Sequence, residues 1–415
     1  VCAENNLKFF IESALKNNLK LNAERKNQKS IKQNLNISKS EFLPSISLSG
    51  NQSSSQSTNK TNRIGNSLPD SNLDTETTSI SIDQKIFQGF KGYNSFKKSE
   101  LEIKQADFRL QQTEQQTILD TVSAYFDLIF KIKNKDFNLS NVNLFERQVE
   151  FDNARSQKGE ITLTDLAQSE SSLAGADAKL IKAKTELQTS KTNFERITRE
   201  KTPDTINVDE KISVDLPNTL QEALRITKMN NSDLMIAKLD FQIAEKEFNI
   251  EKSRLSPKAS LNYSKSENKD YSSTIDDLDQ ETVKATISWP IIKGGENISA
   301  IKKSSLKRQR FLLLSEDAES KAITETTNAW SKYQSSESVL IATELQLKAA
   351  EIANEGITLE YDSSNTRTTL EVIQSRSLLL DARIAFARAE RDFMISQVEL
   401  AFQLGTLSLN TIKPL

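Results

Sequence analysis

The 415-residue chain has no histidine and a single cysteine. Without histidine there is no Ser-His-Asp or Cys-His catalysis and no imidazole-held zinc. One cysteine allows no disulfide within the chain. No stretch reaches the roughly 20 consecutive apolar residues of a membrane-spanning helix. A net charge of −2 gives a nucleic-acid partner no electrostatic support. No cluster of acids and no phosphate-cradling glycine loop stands out, so we expect no enzyme, no cofactor and no metal. Glycine (10) and proline (7) are also scarce, and so few helix breakers point to long helices.

What the chain does have is a repeated seam. Leu166, Leu173, Leu180, Leu187 and Phe194 fall seven apart, interleaved with Ser169, Ala176, Ala183, Ser190 and Ile197. Such a large/small heptad row belongs to a helix lying against another helix. The row recurs at Val372, Leu379, Phe386, Phe393 and Leu400, with Ser375, Ala382, Ala389, Ser396 and Gln403 between them. The offset is constant: 372 less 166, and 403 less 197, are both 206. A constant long offset with the same large/small order means a duplicated chain.

The first repeat, 1–205, opens with a helix over 5–41, ended by Phe42-Leu43-Pro44. Alternation of period two follows at 45–49 and 79–87, with a polar loop expected over 51–75, giving a hairpin at about 43–87. A helix over about 90–158 then runs without proline, with Phe137, Leu144 and Phe151 on its apolar stripe. At 1.5 Å per residue it would be ~100 Å long, too long for a globular domain. Residues 159–165 reverse the chain, with Gly159 as C-terminal cap and Thr164-Asp165 capping the return helix 166–199. The second repeat, 206–415, has a connector, a helix 220–254, a hairpin at about 258–292, a long helix about 296–361, a tip 362–369 and a return helix 370–404. An acidic loop with Asp276, Asp277 and Asp279 is expected inside its hairpin, and Ser363-Ser364-Asn365 make its reversal.

Val1-Cys2-Ala3 has the small-x-Ala shape of a secretory cleavage site, which would start the mature chain near Glu4. An arbitrary start, or Cys2 as a lipid anchor, are the other readings.

Each strand has a polar and an apolar side. Ser45, Ser47, Ser49, Ser79, Ser81, Asp83, Asn262, Lys284 and Thr286 suit a wet lumen, whereas Ile46, Leu48, Ile80, Ile82, Leu261, Val283 and Ile287 suit lipid. Two hairpins cannot close a barrel, so chains would share one; a soluble sandwich sheet over a helical core is the other reading, but it leaves the ~100 Å helices unexplained. Two chains would give a barrel filled by side chains, and three would leave room for a channel. The fold class expected is mainly α with a small β part: antiparallel coiled-coil helices in a tube and four strands per chain in a shared barrel.

At Phe42-Leu43-Pro44-Ser45-Ile46, Gln84-Lys85-Ile86-Phe87, Thr121-Val122-Ser123-Ala124-Tyr125-Phe126, 159–166, 288–295 and Leu404-Gly405-Thr406-Leu407, the chain resembles the TolC-like outer-membrane efflux protein family. The resemblance covers nearly the whole chain. It implies a homotrimeric exit duct in the Gram-negative outer membrane, extending into the periplasm. Three chains would share a 12-stranded transmembrane β-barrel over a trimeric α-barrel closed at its tip. The implied partners are a periplasmic adaptor (membrane fusion protein), an inner-membrane pump or ABC transporter, and outer-membrane lipid, in efflux or type I secretion. A periplasmic coiled-coil adaptor or scaffold is the alternative; it accounts for the helices but not for the hairpins.

The resemblance also implies a latch at the tip, in which Asp165, preceded by Thr164, is held by Tyr361 and Arg367, partly between protomers. The segment 361–367 is one residue longer than the family pattern, with Ser or Asn in place of its glycine. The plain alternative makes Asp165 an N-cap and Arg367 a solvated loop charge. One turn further in, the family's paired acids fall at Glu371 and Gln374, so one acid is kept and one is an amide. Glu371 then lines a pore constriction or is a solvated surface acid. Pro44, Gly89, Gly92, Pro257, Pro290, Gly294 and Gly295 mark the strand–helix junctions, where their role is geometric. Arg391 faces either a neighbouring helix or the lumen.

Overall fold

The structure, a computed structural model, describes residues 6–203, 206–272, 274–364 and 367–414. Val1-Cys2-Ala3, with the expected cleavage site, and Asn365 of the second reversal lie outside the described residues. Helices α1 (Leu7–Asn17) and α2 (Leu19–Ser40) lead into strands β1 (Ser45–Ser57) and β2 (Ser71–Phe87). Helix α3 (Lys91–Gln157) and its return α4 (Leu163–Thr198) complete the first repeat. After β3 (Ile212–Val214), the second repeat runs through α5 (Leu220–Asn230), α6 (Ser232–Lys252), β4 (Lys258–Ser272), β5 (Ile275–Ser288), α7 (Glu296–Ser364) and α8 (Thr369–Gln403), ending in β6 (Ile412–Pro414). The chain divides into two compact units, one helical and one holding the four long strands, and each draws on both repeats.

The helical unit comprises residues up to 26, 108–236 and 316 onward. Its main core gathers Phe10 from α1, Tyr125 from α3 and Phe194 from α4, with Phe10 and Phe194 edge to face at 4.9 Å. The Tyr125 hydroxyl donates to Glu210 of the connector, and Glu210 also accepts the Leu7 N–H at 3.1 Å. Burial and the Glu210 carboxylate push the Tyr125 hydroxyl far above the ordinary phenol range, so it remains a donor. A smaller core holds Ala223 of α5, Trp330 of α7 and Leu400 of α8. The strip β3·β6 ties the connector to the C-terminal segment.

Each N-terminal helix is broken in two, where one helix was expected over 5–41 and another over 220–254. The break residue is asparagine both times. Asn18 Oδ1 accepts from the N–H groups of Lys20 and Leu21, starting α2, while its Nδ2 donates to the Ile197 carbonyl at 3.2 Å. Asn231 Oδ1 accepts from Leu234 N–H, while its Nδ2 donates to the Gln403 carbonyl at 2.9 Å. The two carbonyls lie 206 residues apart, the offset of the seams. One asparagine thus caps a new helix and receives the end of a return helix, a local bond that competes with helix continuation.

The strand-bearing unit comprises residues 27–107 and 237–315. Its sheet is a four-stranded antiparallel meander in the order β1-β2-β4-β5. The strands are longer than the alternation implied: about half of the polar run over 51–75 is strand, with the loop confined to 58–70, and Asp276, Asp277 and Asp279 lie in β5 rather than in a loop. Serine and threonine suffice because they pair across the sheet. Ser47 meets Ser81 and Ser49 meets Ser79, hydroxyl to hydroxyl at 2.8 Å, and Ser53 meets Thr75 at 3.1 Å. The register aligns Ser47, Ser81, Ser264 and Thr282 in one row and Ile46, Ile82, Tyr263 and Val283 in the adjacent row, which faces the opposite side. Near the helix junctions one side of the sheet therefore carries hydroxyls and the other is apolar; further out the second side also turns polar, with Lys265 opposite Glu281 and Glu76 opposite Lys269.

Candidate gate at the helix reversals

The first reversal is built from backbone chemistry. Gly159 adopts φ +76°, where a Cβ would be strained, and the Glu160 N–H closes the last turn of α3 on the Arg155 carbonyl at 2.9 Å. The residue capping α4 is Thr162, two before the expected Thr164. Its Oγ1 accepts the Asp165 N–H at 3.2 Å, and the Asp165 carboxylate accepts the Thr162 hydroxyl at 2.7 Å and its N–H at 3.0 Å. The Thr162 hydroxyl first, and its N–H second, hold the Asp165 carboxyl below the usual carboxylate range. Thr164 is exposed within the first turn.

The second reversal repeats the device. Thr368 caps α8, and Glu371 returns bonds to the Thr368 N–H at 2.7 Å and hydroxyl at 3.0 Å. Arg367 spans two acids of its own hairpin, Glu360 at 2.6 Å and Glu371 at 3.1 Å. The Thr368 N–H first, then Arg367, hold the Glu371 carboxyl below its usual range. Gln374, one turn on, is exposed.

Tyr361 points elsewhere. It is only 3% exposed, and its hydroxyl donates to Asp152 Oδ1 of α3 at 2.9 Å. Burial, and then the Asp152 carboxylate, keep that hydroxyl above the ordinary phenol range despite an opposing bond from Thr369. Within one chain, then, Arg367 meets Glu371, Tyr361 meets Asp152, and Asp165 sits in its own cap.

The stripe through Ile118, Val122, Tyr125, Ile129 and Ile132 is packed as its spacing implies, but sequence reasoning missed Asp152 because the continuation through Phe137, Leu144 and Phe151 follows the wrong face of α3. Leu144 and Phe151, expected on the packed face, are 37% and 45% exposed. The buried face instead runs through Asn138, Val142, Phe145, Gln148, Asp152 and Arg155, a 3–4 spacing interrupted by polar residues. A hydrophobic count cannot detect such a face. The signal that could have found it lies in the return seam, whose serines reach α3: Ser169 Oγ donates to Asp152 at 2.5 Å and Ser190 Oγ to Asp127 at 3.0 Å. Arg391 also turns to α3, meeting Asp127 at 3.2 Å over the Phe130 ring.

The junction residues lie in the strand-bearing unit. Gly89, at φ +61°, leaves its absent Cβ 2.4 Å from Ser256 Cβ, so only glycine fits there. Gly92 lies under the Phe42 ring. Gly294 and Gly295 also have positive φ, at +55° and +80°. Pro44 and Pro257 directly precede β1 and β4, and Pro290 follows β5 by one residue.

A family profile described as outer membrane efflux protein matches residues 10–198 and 223–406, one span in each repeat. The outer membrane efflux protein BepC of Brucella suis is 24% identical over 96% of this chain and 85% of its own length. The outer membrane protein TolC of Escherichia coli is also 24% identical, over 98% and 83%. Among solved structures, the Campylobacter jejuni CmeC outer membrane channel superposes with a TM-score of 0.85 at 15% identity, over 97% of this chain and 86% of that one. The open state of the Neisseria gonorrhoeae MtrE outer membrane channel gives 0.80 at 16% identity, over 97% and 91%.

Proposed function

The chain belongs to the outer membrane efflux protein family, and from that premise we propose that three copies form a gated exit duct across the Gram-negative outer membrane and into the periplasm. The observation that carries this is the sheet. Its outer strands β1 and β5 have no further partner strand among the described residues, and Ile46, Leu48, Val283 and Ile287 on one side are 67–80% exposed. No helix among the described residues is long and apolar enough to cross a membrane. Open strand edges are not tolerated in lipid, so β1 of one copy pairs with β5 of the next, and four strands from each of three copies close a 12-stranded barrel. The hydroxyl side then lines the lumen.

The helical unit supports the same assembly. Leu144 and Phe151 on α3, and Leu345, Ile352 and Leu359 on α7, form heptad rows left exposed within the chain. They are the faces that neighbouring copies cover. The periplasmic adaptor, or membrane fusion protein, and the inner-membrane pump or ABC transporter dock this duct. Efflux is the role that the name of the Brucella relative carries.

In this duct the tip is the gate. Asp165 and Thr164 of one copy meet Arg367 of the next, Tyr361 restrains the second hairpin from within, and Glu371 and Gln374 line the constriction behind them. The exposed Arg–acid contacts are individually weak and so can be displaced by an adaptor. Light scattering of protein extracted from outer membranes in detergent tests the assembly. A particle of three chains is expected; a monomer in the soluble fraction would overturn it.

A further inference from the structure

One buried acid has no part in the latch implied by the family resemblance. Asp152 on α3 is fully buried, and three elements converge on it. Gln148 Nε2, on the same helix, donates to both of its oxygens at 3.0 Å. Ser169 Oγ donates from α4 at 2.5 Å, and the Tyr361 hydroxyl donates from the last turn of α7 at 2.9 Å. The Tyr361 hydroxyl is also 3.1 Å from Thr369 Oγ1 on α8, and its ring lies 5.4 Å from the Arg155 guanidinium. One carboxylate therefore gathers hydrogen bonds from both repeats at the level of both reversals. Asp165, the acid in the expected latch position, is occupied by its own cap and lies at the surface.

We propose that Asp152 is a positioning residue of the gate: it fixes Tyr361, and with it the α7–α8 hairpin, onto the α3–α4 hairpin of the same chain. The proposal rests on the gated-duct reading above. Opening that separates the two hairpins must break the Tyr361–Asp152 bond, leaving a buried carboxylate short of a donor, so the bond favours the closed tip. The small residues of the seam let α4 come close enough for Ser169 to brace the same carboxylate.

The test is single-channel conductance of the full-length protein in planar lipid bilayers, with assembly checked by light scattering. Asp152→Asn and Tyr361→Phe should each raise occupancy of the high-conductance state about tenfold, the effect of losing one buried charge-assisted hydrogen bond. The double variant should exceed neither single variant, because both remove one interaction. A residue that merely stabilised the fold would lower assembly yield without this coupling. If Asp152→Asn conducts like wild type while Tyr361→Phe or Arg367→Ser opens the channel, Asp152 does not position the gate and the gated duct stands. If the two single effects multiply, the proposal is likewise overturned. If none of the three variants changes conductance, the gated-duct reading falls and this proposal with it. Should Asp152→Asn not assemble, Ser169→Ala combined with Tyr361→Phe reads the same coupling through the other hydroxyl.

Discussion

At the scale of single residues, the two tips are built by one rule. A threonine starts each return helix, and an acid three residues later answers it: Thr162 with Asp165, and Thr368 with Glu371. Asp165 and Glu371 were legible in the sequence as acids at the reversals, and a cap at Thr164-Asp165 was expected, but Thr162 is the capping residue and the cap at Thr368 went unread. Thr162 and Thr164 are equally plausible caps by composition, and only backbone conformation chooses between them. In the proposed duct the cap also changes what Glu371 can do. Its carboxylate already holds Thr368 and Arg367, and Gln374 brings no second charge. We therefore expect weak block by divalent cations in the wild-type channel. Arg367→Ser frees Glu371 from its cation, so titrating magnesium against conductance should show tighter block in that variant. Unchanged or weaker block would place Glu371 away from the pore.

At the scale of elements, the seams were legible and the breaks were not. All five small positions of the first seam, Ser169, Ala176, Ala183, Ser190 and Ile197, are buried in the α3–α4 contact or the core beside it. In the second, Ser375 and Ser396 bond to Asn354 and Ser336 of α7, as Ser169 and Ser190 bond to α3. Seven-residue spacing announces such a contact at any distance along the chain. Asn18 and Asn231, by contrast, sit in segments with good helical periodicity. Their role depends on a carbonyl 179 and 172 residues away, which no local pattern contains. The strands were shortened for a related reason: serine is a weak strand signal alone and a strong one when another serine stands opposite. The end of α8 shows how tightly these junctions pack. Gly405, at φ +72°, leaves its missing Cβ 2.2 Å from the Asn230 carbonyl oxygen. Gly405→Ala should cost about 1–3 kcal/mol, combining strain and backbone displacement, and lower the thermal midpoint of the folded protein. Gly356→Ala, in the open interior of α7 with nothing within 4 Å, is the control and should leave the midpoint unchanged or raise it. Equal midpoints for the two variants would refute the packing role of Gly405.

At the scale of the molecule, duplication explains most of what could be read from sequence. Both repeats keep helix pair, hairpin, long helix, reversal and return in order, so each half checks the other. What duplication does not show is where the halves have diverged. The first repeat puts a buried acid beneath its tip and the second a tyrosine that reaches it, and the proposed gate rests on this asymmetry. A hydrophobic face would hold two hairpins together permanently, whereas hydrogen bonds and exposed ion pairs at a tip can be exchanged for contacts with a partner. The most direct measurement is the conductance in planar bilayers of wild-type protein beside a double variant, Tyr361→Phe with Arg367→Ser. A gated duct predicts a small wild-type conductance and severalfold larger openings in the double variant at the same voltage and salt. Equal conductance, or no channels from either protein, would contradict it.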